Sequence, residues 1–137
     1  MRLDSGSAGT KAHTSLKHAG NHSISGTSFA DVDATNESIS VTTSGGDLLV
    51  AWQGTVSSPG GGETIHLDIT VDSTRVSGVA NGLAQTTGSV IPTYIFSVVT
   101  SLAAGAHTVR LQAKVSSGTG NVVLSGSSIG VLYAQEL

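Results

Sequence analysis

The sequence has no cysteine and is poor in charged and aromatic residues. Charged residues make up 11% of its 137 residues, Lys and Arg together number six, and the formal net charge is −3. Without cysteine the chain forms neither disulfides nor thiolate metal sites, so packing or oligomerisation must supply its stability. Six basic residues are too few for a face that holds a nucleic-acid backbone, so we expect no nucleic-acid partner. No window approaches the roughly 18 apolar residues of a membrane span, so we expect no membrane partner either.

The sequence does have a regular alternation of apolar and polar residues. In residues 64–72, TIHLDITVD, four aliphatic residues alternate with polar ones, and HTVRLQAKV at 107–115 repeats the scheme. A period of two is typical of half-buried antiparallel strands with one wet face. We therefore expect His66 and Asp68 on one wet face, and Arg110 and Lys114 on another, with solvent favoured over an acidic partner.

Further strands are predicted by short alternating or β-branched segments. They comprise residues 37–43, 47–56 and 93–100, then NVVL and SIGVLYA near the end of the chain, with Gly- and Ser-rich turns between them. No segment has a period of 3.6. Many short strands joined by such turns predict a single all-β domain, either a sandwich or a barrel. Trp52 lies on a continuous apolar face of its segment and is predicted to be in the core.

The first 25 residues differ from the rest. They are polar, contain three histidines and have no apolar run before Ile24. This composition predicts an N-terminal arm over residues 1–26, preceding a domain of residues 27–137, that either wraps on a neighbour or stays mobile.

Two groups of residues are candidate metal sites. His13, His18 and His22 carry imidazoles that suit zinc, nickel or copper, but their spacings of five and four fit neither an HExxH helix nor a zinc finger. DVDATNES at residues 31–38 offers closely spaced oxygens for calcium, yet it lacks the twelve-residue loop pattern. We therefore predict no metal site and no cofactor.

Catalytic arrangements are not favoured. His66 and Asp68 share a strand face, but no G-x-S-x-G elbow supplies a nucleophile. Carboxylates for glycoside hydrolysis would need a cleft with aromatic platforms, and Trp52, Tyr94 and Tyr133 all fall in predicted strands. The chain is therefore expected not to be an enzyme.

Three stretches carry a resemblance to a known family. SFADVDATNESISVTTSGGDLLVAWQGTVS, IHLDITVDSTRV and LAAGAHTVRLQAKVSSGTGNVVL, in that order, resemble a domain common in bacteriophage and prophage structural proteins, often at the C-termini of tail fibres. That domain is similar in layout to the trimeric jelly rolls of the tumour-necrosis-factor and complement globular-head type. The resemblance covers residues 27–137 and implies an all-β, antiparallel jelly-roll β-sandwich that forms a homotrimer.

The end of the chain is the predicted trimer interface. SSIGVLYAQEL looks like the last strand of those domains, which lies near the threefold axis. Its apolar residues occupy both faces, and a strand of this kind must be covered on both sides, which a trimer axis can do. The predicted interface residues are Phe96, Val131, Leu132 and Tyr133.

The resemblance implies a virion protein, assembled in the host cytoplasm. Because only a short arm precedes the domain, we expect a trimeric capsid decoration protein that binds and stabilises the head surface through the major capsid protein or another virion protein. The predicted partner contacts are Lys11, His13, Lys17, His18 and His22. The alternative is a tail-fibre tip domain that binds a host surface receptor or glycan, followed by a secreted bacterial adhesion module.

Overall fold

The structure is a computed structural model that describes residues 11–18, 20–123 and 130–137. These residues form two antiparallel sheets, which confirms the predicted all-β sandwich. No helix in this part of the chain is long and apolar enough to cross a membrane. The strands in chain order are β1 (His13–His18), β2 (Asn21–Ile24), β3 (Ala30–Asp31), β4 (Ser38–Thr43), β5 (Gly46–Ser57), β6 (Ile65–Val71), β7 (Thr74–Arg75), β8 (Ala84–Thr86), β9 (Ile91–Leu102), β10 (Gly105–Val115), β11 (Gly120–Val123) and β12 (Gly130–Glu136).

The first sheet is built around the long strand β5. On one side β5 pairs with β9 along almost its whole length. On the other side it pairs with β12 over residues 48–53 and with β11 over residues 55–57. The strands β1 and β2 pair in turn with β12 and β11. Consequently β9 lies at one edge of this sheet, and β1 and β2 lie at the other.

The second sheet is built around β10 and β6, which pair with each other from Val109↔Val71 to Val115↔Ile65. The other side of β10 pairs with β3 and β4, and the other side of β6 pairs with β7 and β8. The inner faces of the two sheets meet in one hydrophobic core. Trp52 is fully buried in it, as predicted, among such residues as Leu67, Leu111 and Leu132.

Residues expected in the N-terminal arm form part of the first sheet. The strand β1 pairs with β12 from His13↔Gln135 to His18↔Gly130, and Leu16 packs against the core. The strand β2 pairs with β11. The boundary expected at residue 26 therefore does not separate an arm from the sandwich, since residues 13–18 and 21–24 are its strands. The first ten residues of the expected arm lie outside the described residues.

The prediction that one face of β6 is exposed to solvent is wrong. All seven residues of β6 are buried, including His66, Asp68 and Thr70. The reason is that the segment of residues 76–83, which we call the cap loop, lies over this face. Its ends are held by backbone hydrogen bonds to β6, from Val76 N–H to the Ile69 carbonyl at 2.9 Å and from Leu83 N–H to the Leu67 carbonyl at 2.8 Å.

The charge of the buried Asp68 is compensated by neighbours that follow it in the chain. The guanidinium of Arg75 lies 3.2 Å from its Oδ2, and the hydroxyl of Ser77 donates to the same oxygen at 2.5 Å. The Ile69 amide donates to Oδ1 at 2.8 Å. A buried carboxylate is stable only when it is paired and hydrogen-bonded in this way.

The prediction that Arg110 and Lys114 face solvent also needs correction. Both side chains are half-buried and find partners in the same chain. Arg110 Nη1 lies 3.2 Å from Asp31 Oδ2. Lys114 Nζ donates to the Ala80 carbonyl in the cap loop at 2.7 Å and lies 5.0 Å from the centroid of the Phe29 ring. These two cations therefore stabilise the second sheet and its cap loop.

Candidate functional site

The outer face of the first sheet carries an unusual amount of apolar surface. On β9 the side chains of Tyr94, Phe96 and Val98 are 60%, 58% and 44% exposed, while Ile95 between them is buried. The pairing of β9 with β5 and of β5 with β12 places apolar residues of those strands beside them. We call the whole set the apolar face: Leu49, Ala51, Tyr94, Phe96, Val98, Val131 and Tyr133.

The centre of the apolar face is a row of three side chains across three strands. Ala51 on β5 is the register partner of Phe96 on β9 and of Tyr133 on β12. The small methyl group of Ala51 thus lies between two aromatic residues. Phe96 also contacts Tyr94, two residues away on the same strand face, with ring centroids 5.7 Å apart. The hydroxyl of Tyr133 is hydrogen-bonded to the side chain of Gln135.

Strand alternation explains why this face forms. The aromatic and β-branched residues of TYIFSVVT favour an extended strand, in which successive side chains point to opposite sides. Ile95 consequently enters the core while Tyr94 and Phe96 point outward. Large apolar side chains on an exposed, contiguous surface are typical of protein interaction sites.

Three of the four predicted interface residues lie together on the apolar face. Phe96, Val131 and Tyr133 all point away from the core. Leu132 does not belong with them, because it is fully buried among residues of its own chain. The inner side of β12 is therefore covered by the second sheet rather than by another subunit.

The predicted partner contacts fall into two places. Lys11, His13 and Lys17 are exposed at the β1 edge of the first sheet, and Lys17 is the register partner of Val131. His22 lies on β2, with its Nδ1 3.7 Å from Asp33 Oδ2. For His18 the structure describes only its place in β1, opposite Gly130.

Among the candidate metal ligands, Asp33 has a structural role. No group of three or more His, Asp or Glu residues within 11–18, 20–123 and 130–137 could hold a metal ion. Asp33, in the DVDATNES segment, accepts hydrogen bonds from the backbone and side chain of Asn36 and from the backbone of Thr35, at 2.8, 2.9 and 2.8 Å. These bonds lower the pKa of Asp33 to about 2. Its carboxylate closes a turn.

The candidate catalytic pair, His66 and Asp68, lies beneath the cap loop. Nδ1 of His66 is 3.3 Å from the Asn81 carbonyl oxygen. Asp68 is fully buried, and its carboxylate is paired with Arg75 and hydrogen-bonded to Ser77. Both side chains are therefore buried beneath the cap loop.

Sequence reasoning missed an ion pair between a buried histidine and an exposed aspartate at one end of the sandwich. His107 lies on the inward side of β10, with its Nδ1 2.6 Å from Asp72 Oδ2 and its Nε2 2.8 Å from the Ala103 carbonyl oxygen. The hydrogen bond to Asp72 raises the pKa of His107, aided by the bond to Ala103, and it lowers the pKa of Asp72. Asp72 and His107 are 35 residues apart, so no local motif could have indicated the pair.

A groove of about 480 Å³ opens between the edges of the two sheets, beside this ion pair. Its walls come from β6, β7, β9 and the start of the cap loop, and they include Val71, Arg75, Val76, Val98 and Leu102. Val98 lines the groove and also belongs to the apolar face. The accessible apolar surface of the first sheet thus continues around its β9 edge.

Comparisons with known proteins do not assign the chain to a family. No protein-family model matches it, and no curated protein matches it significantly. Among solved structures, the chain is similar to dimeric latent PorU from Porphyromonas gingivalis, with 15% sequence identity and a TM-score of 0.36. The match covers 93% of this chain and 13% of that one, and a TM-score this low carries no argument about function.

Proposed function

We propose that the protein is a homotrimeric virion structural protein of a bacteriophage that decorates and stabilises the capsid surface. The observation that carries this proposal is the exposed apolar face on the first sheet. A soluble monomer rarely leaves aromatic and aliphatic side chains of several strands exposed side by side, whereas a subunit interface covers them. The role is structural rather than enzymatic.

The order of the strands supports the jelly-roll part of the proposal. If β1 and β2, β3 and β4, β7 and β8, and β11 and β12 are each counted as one interrupted strand, the chain has eight strands in its described residues. The first sheet then has the order 1-8-3-6 and the second the order 2-7-4-5. Eight antiparallel strands in two sheets with interleaved long connections are the arrangement of a jelly roll.

The energetics favour self-association through the apolar face. Fully burying a Phe side chain contributes about 1.5–3 kcal/mol, so covering the exposed half of Phe96 contributes about 1 kcal/mol for each chain. Tyr94, Val98 and Tyr133 add to this. A domain without disulfides gains stability from such burial between subunits. We assign the trimer interface to Phe96, Val131 and Tyr133 together with their neighbours on this face.

The β1 edge is the part of the chain we assign to the capsid. Lys11, His13 and Lys17 are exposed there, beside the apolar face. Two of the chain's six Lys and Arg residues thus lie at one edge. An acidic surface on the major capsid protein or another virion protein would attract them, and such attraction weakens as salt is added.

Light scattering of a Phe96→Asp variant tests the self-association. The wild-type chain should have the mass of three chains at micromolar concentration, and the variant should have a lower mass, because an unpaired charge at an interface costs several kcal/mol. Val79→Asp is the matched control, since Val79 is as exposed as Phe96 but lies in the cap loop. A monomeric wild-type chain, or equal loss in both variants, would contradict the proposal.

The exposed rings of Tyr94 and Phe96 could also stack against a ligand, as a tail-fibre tip would require. A binding assay with virus particles distinguishes capsid decoration from this alternative. The wild-type chain should bind heads that lack the decoration protein. A Lys11→Ala, Lys17→Ala double variant should bind them more weakly, and its binding should depend less on salt. Binding to host cells but not to heads would instead support a tail-fibre tip.

A further inference from the structure

In the turn at Asn81–Gly82 of the cap loop, the reactive side-chain amide of Asn81 is next to a glycine, which has no side chain. Both residues are accessible, with Asn81 exposed and Gly82 half-exposed. Gly82 has a φ of +73°, and a Cβ at this position would lie 2.4 Å from the Leu67 carbonyl oxygen and 2.8 Å from Cζ of Phe29. The fold therefore requires glycine here, and it keeps the amide nitrogen that follows Asn81 free of shielding by a side chain.

We propose that Asn81–Gly82 is a self-modifying site that converts to isoaspartate and aspartate in the folded protein. The amide nitrogen of Gly82 attacks Cγ of Asn81, loses its proton and forms a C–N bond, while the side-chain nitrogen leaves as ammonia. Water then adds to one carbonyl of the resulting cyclic imide and breaks one of its two C–N bonds. The reaction consumes one water, releases one ammonia and involves no change of oxidation state.

The two products place their new carboxylate differently. Cleavage on the side-chain carbonyl restores the main chain and leaves aspartate. Cleavage on the main-chain carbonyl leads the backbone through Cβ and leaves the former carbonyl of residue 81 as the free carboxylate. In the folded chain that oxygen lies 3.3 Å from Nδ1 of His66.

The surroundings of the turn favour the product with the carboxylate on the former main-chain carbon. His66 faces the carbonyl of Asn81, and Lys114 Nζ donates to the carbonyl of the preceding residue, Ala80, at 2.7 Å. A carboxylate formed at this carbon can accept a hydrogen bond from the His66 ring, and the Lys114 ammonium lies at the preceding carbonyl. The attack also removes the hydrogen bond from Gly82 N–H to the Val79 carbonyl, which is long at 3.3 Å.

The other asparagines are internal controls. Asn21, Asn36 and Asn121 are each followed by a residue with a side chain. Asn21 and Asn121 lie in paired strands, and Asn36 is hydrogen-bonded to Asp33. Their amides are therefore expected to persist under conditions in which Asn81 reacts.

The test is peptide mapping by mass spectrometry of the intact, folded chain kept at neutral pH over time. Asn81 should convert about tenfold faster than any other asparagine, which corresponds to a barrier lower by about 1.4 kcal/mol. Fragmentation that distinguishes isoaspartate should identify it as the main product. An Asn81→Gln variant should form acidic species on anion exchange about tenfold more slowly than the wild-type chain and should keep the wild-type melting temperature.

Two results would overturn the proposal. One is a rate at Asn81 no higher than the rates at Asn21, Asn36 and Asn121. The other is conversion that occurs in urea but not in the folded chain, because the hydrogen bonds of the cap loop would then prevent the attack.

Discussion

The ion pair between His107 and Asp72 makes the stability of the fold depend on pH, and Asp72→Asn is the substitution that isolates this dependence. Asp72 has a φ of +51°, a conformation that asparagine adopts more readily than most residues. An asparagine can also still accept the hydrogen bond that the Thr108 amide donates to Oδ1 at 2.9 Å. The substitution therefore removes the negative charge while the β6–β7 turn keeps its backbone.

The expected loss in the free energy of unfolding follows from the geometry of the ion pair. Both ring nitrogens of His107 face oxygen acceptors, at 2.6 and 2.8 Å, so the protonated ring satisfies both contacts. A hydrogen bond to a charged group contributes about 1.5–3 kcal/mol, and solvent screening at Asp72 places this pair at about 1.5 kcal/mol. Asp72 is 49% exposed, which is why the lower figure applies. A loss of this size should lower the melting temperature by about 6 °C.

The direction of the pH dependence follows from the two pKa shifts. The pKa of His107 is raised above 6.5, so its contribution is complete below that pH and is lost as the pH rises through the folded-state pKa. The pKa of Asp72 is lowered from 3.8, so its contribution is present above that pH and is lost in stronger acid. The wild-type advantage over Asp72→Asn should be largest between pH 3.8 and pH 6.5.

Urea denaturation of both proteins across a pH series measures this difference. Asp31→Asn is the matched control, because Asp31 pairs with the guanidinium of Arg110 and the amide of Gln112 rather than with an imidazole. Its effect on the free energy of unfolding should be the same at neutral and alkaline pH. A difference between wild type and Asp72→Asn that stayed constant, or grew, above neutral pH would refute the reasoning.

Three further outcomes are expected. Replacing Arg110 and Lys114 together by serine should lower the free energy of unfolding by about 1–3 kcal/mol in urea titrations, because both have partners in the chain; a loss under about 0.5 kcal/mol would indicate a solvated face. Leu132→Asp should abolish folding by circular dichroism, whereas Tyr133→Asp should preserve the fold and reduce the mass by light scattering; the reverse would contradict the strand faces assigned here. A chelator should leave the melting temperature unchanged, since a metal bound only by the folded state would raise it, and a fall of many degrees would reveal a site.

The strands of the core were predictable because their signal is local. The segment expected at residues 47–56 became β5, Gly46–Ser57, and the alternation in residues 64–72 placed Ile65 and its aliphatic neighbours correctly in the core. In each case the side-chain period alone decides which residues point inward. The inward position of Trp52 follows from the same rule.

The residues that surround the polar faces of the strands could not be predicted from the two-residue alternation. Asp68 is buried because Arg75 and Ser77 return to it, and Lys114 finds its acceptor 34 residues earlier in the chain, at Ala80. A strand pattern shows that a face is polar but not whether a later loop will cover it. The polar strands β1 and β2 were missed for a related reason, since they are held largely by backbone pairing to β12 and β11 and carry little apolar signal.

The position of β12 between β1 and β5 has a consequence for how the chain is made. The carboxylate of Glu136 accepts a hydrogen bond from the amide of Ala12, a contact between residues 124 positions apart. During synthesis both β1 and β5 keep an unpaired edge until β12 has left the ribosome, and contacts of such long separation form slowly. A premature stop before residue 130 would therefore leave two open strand edges in one chain, and such a fragment would be prone to aggregate rather than to assemble.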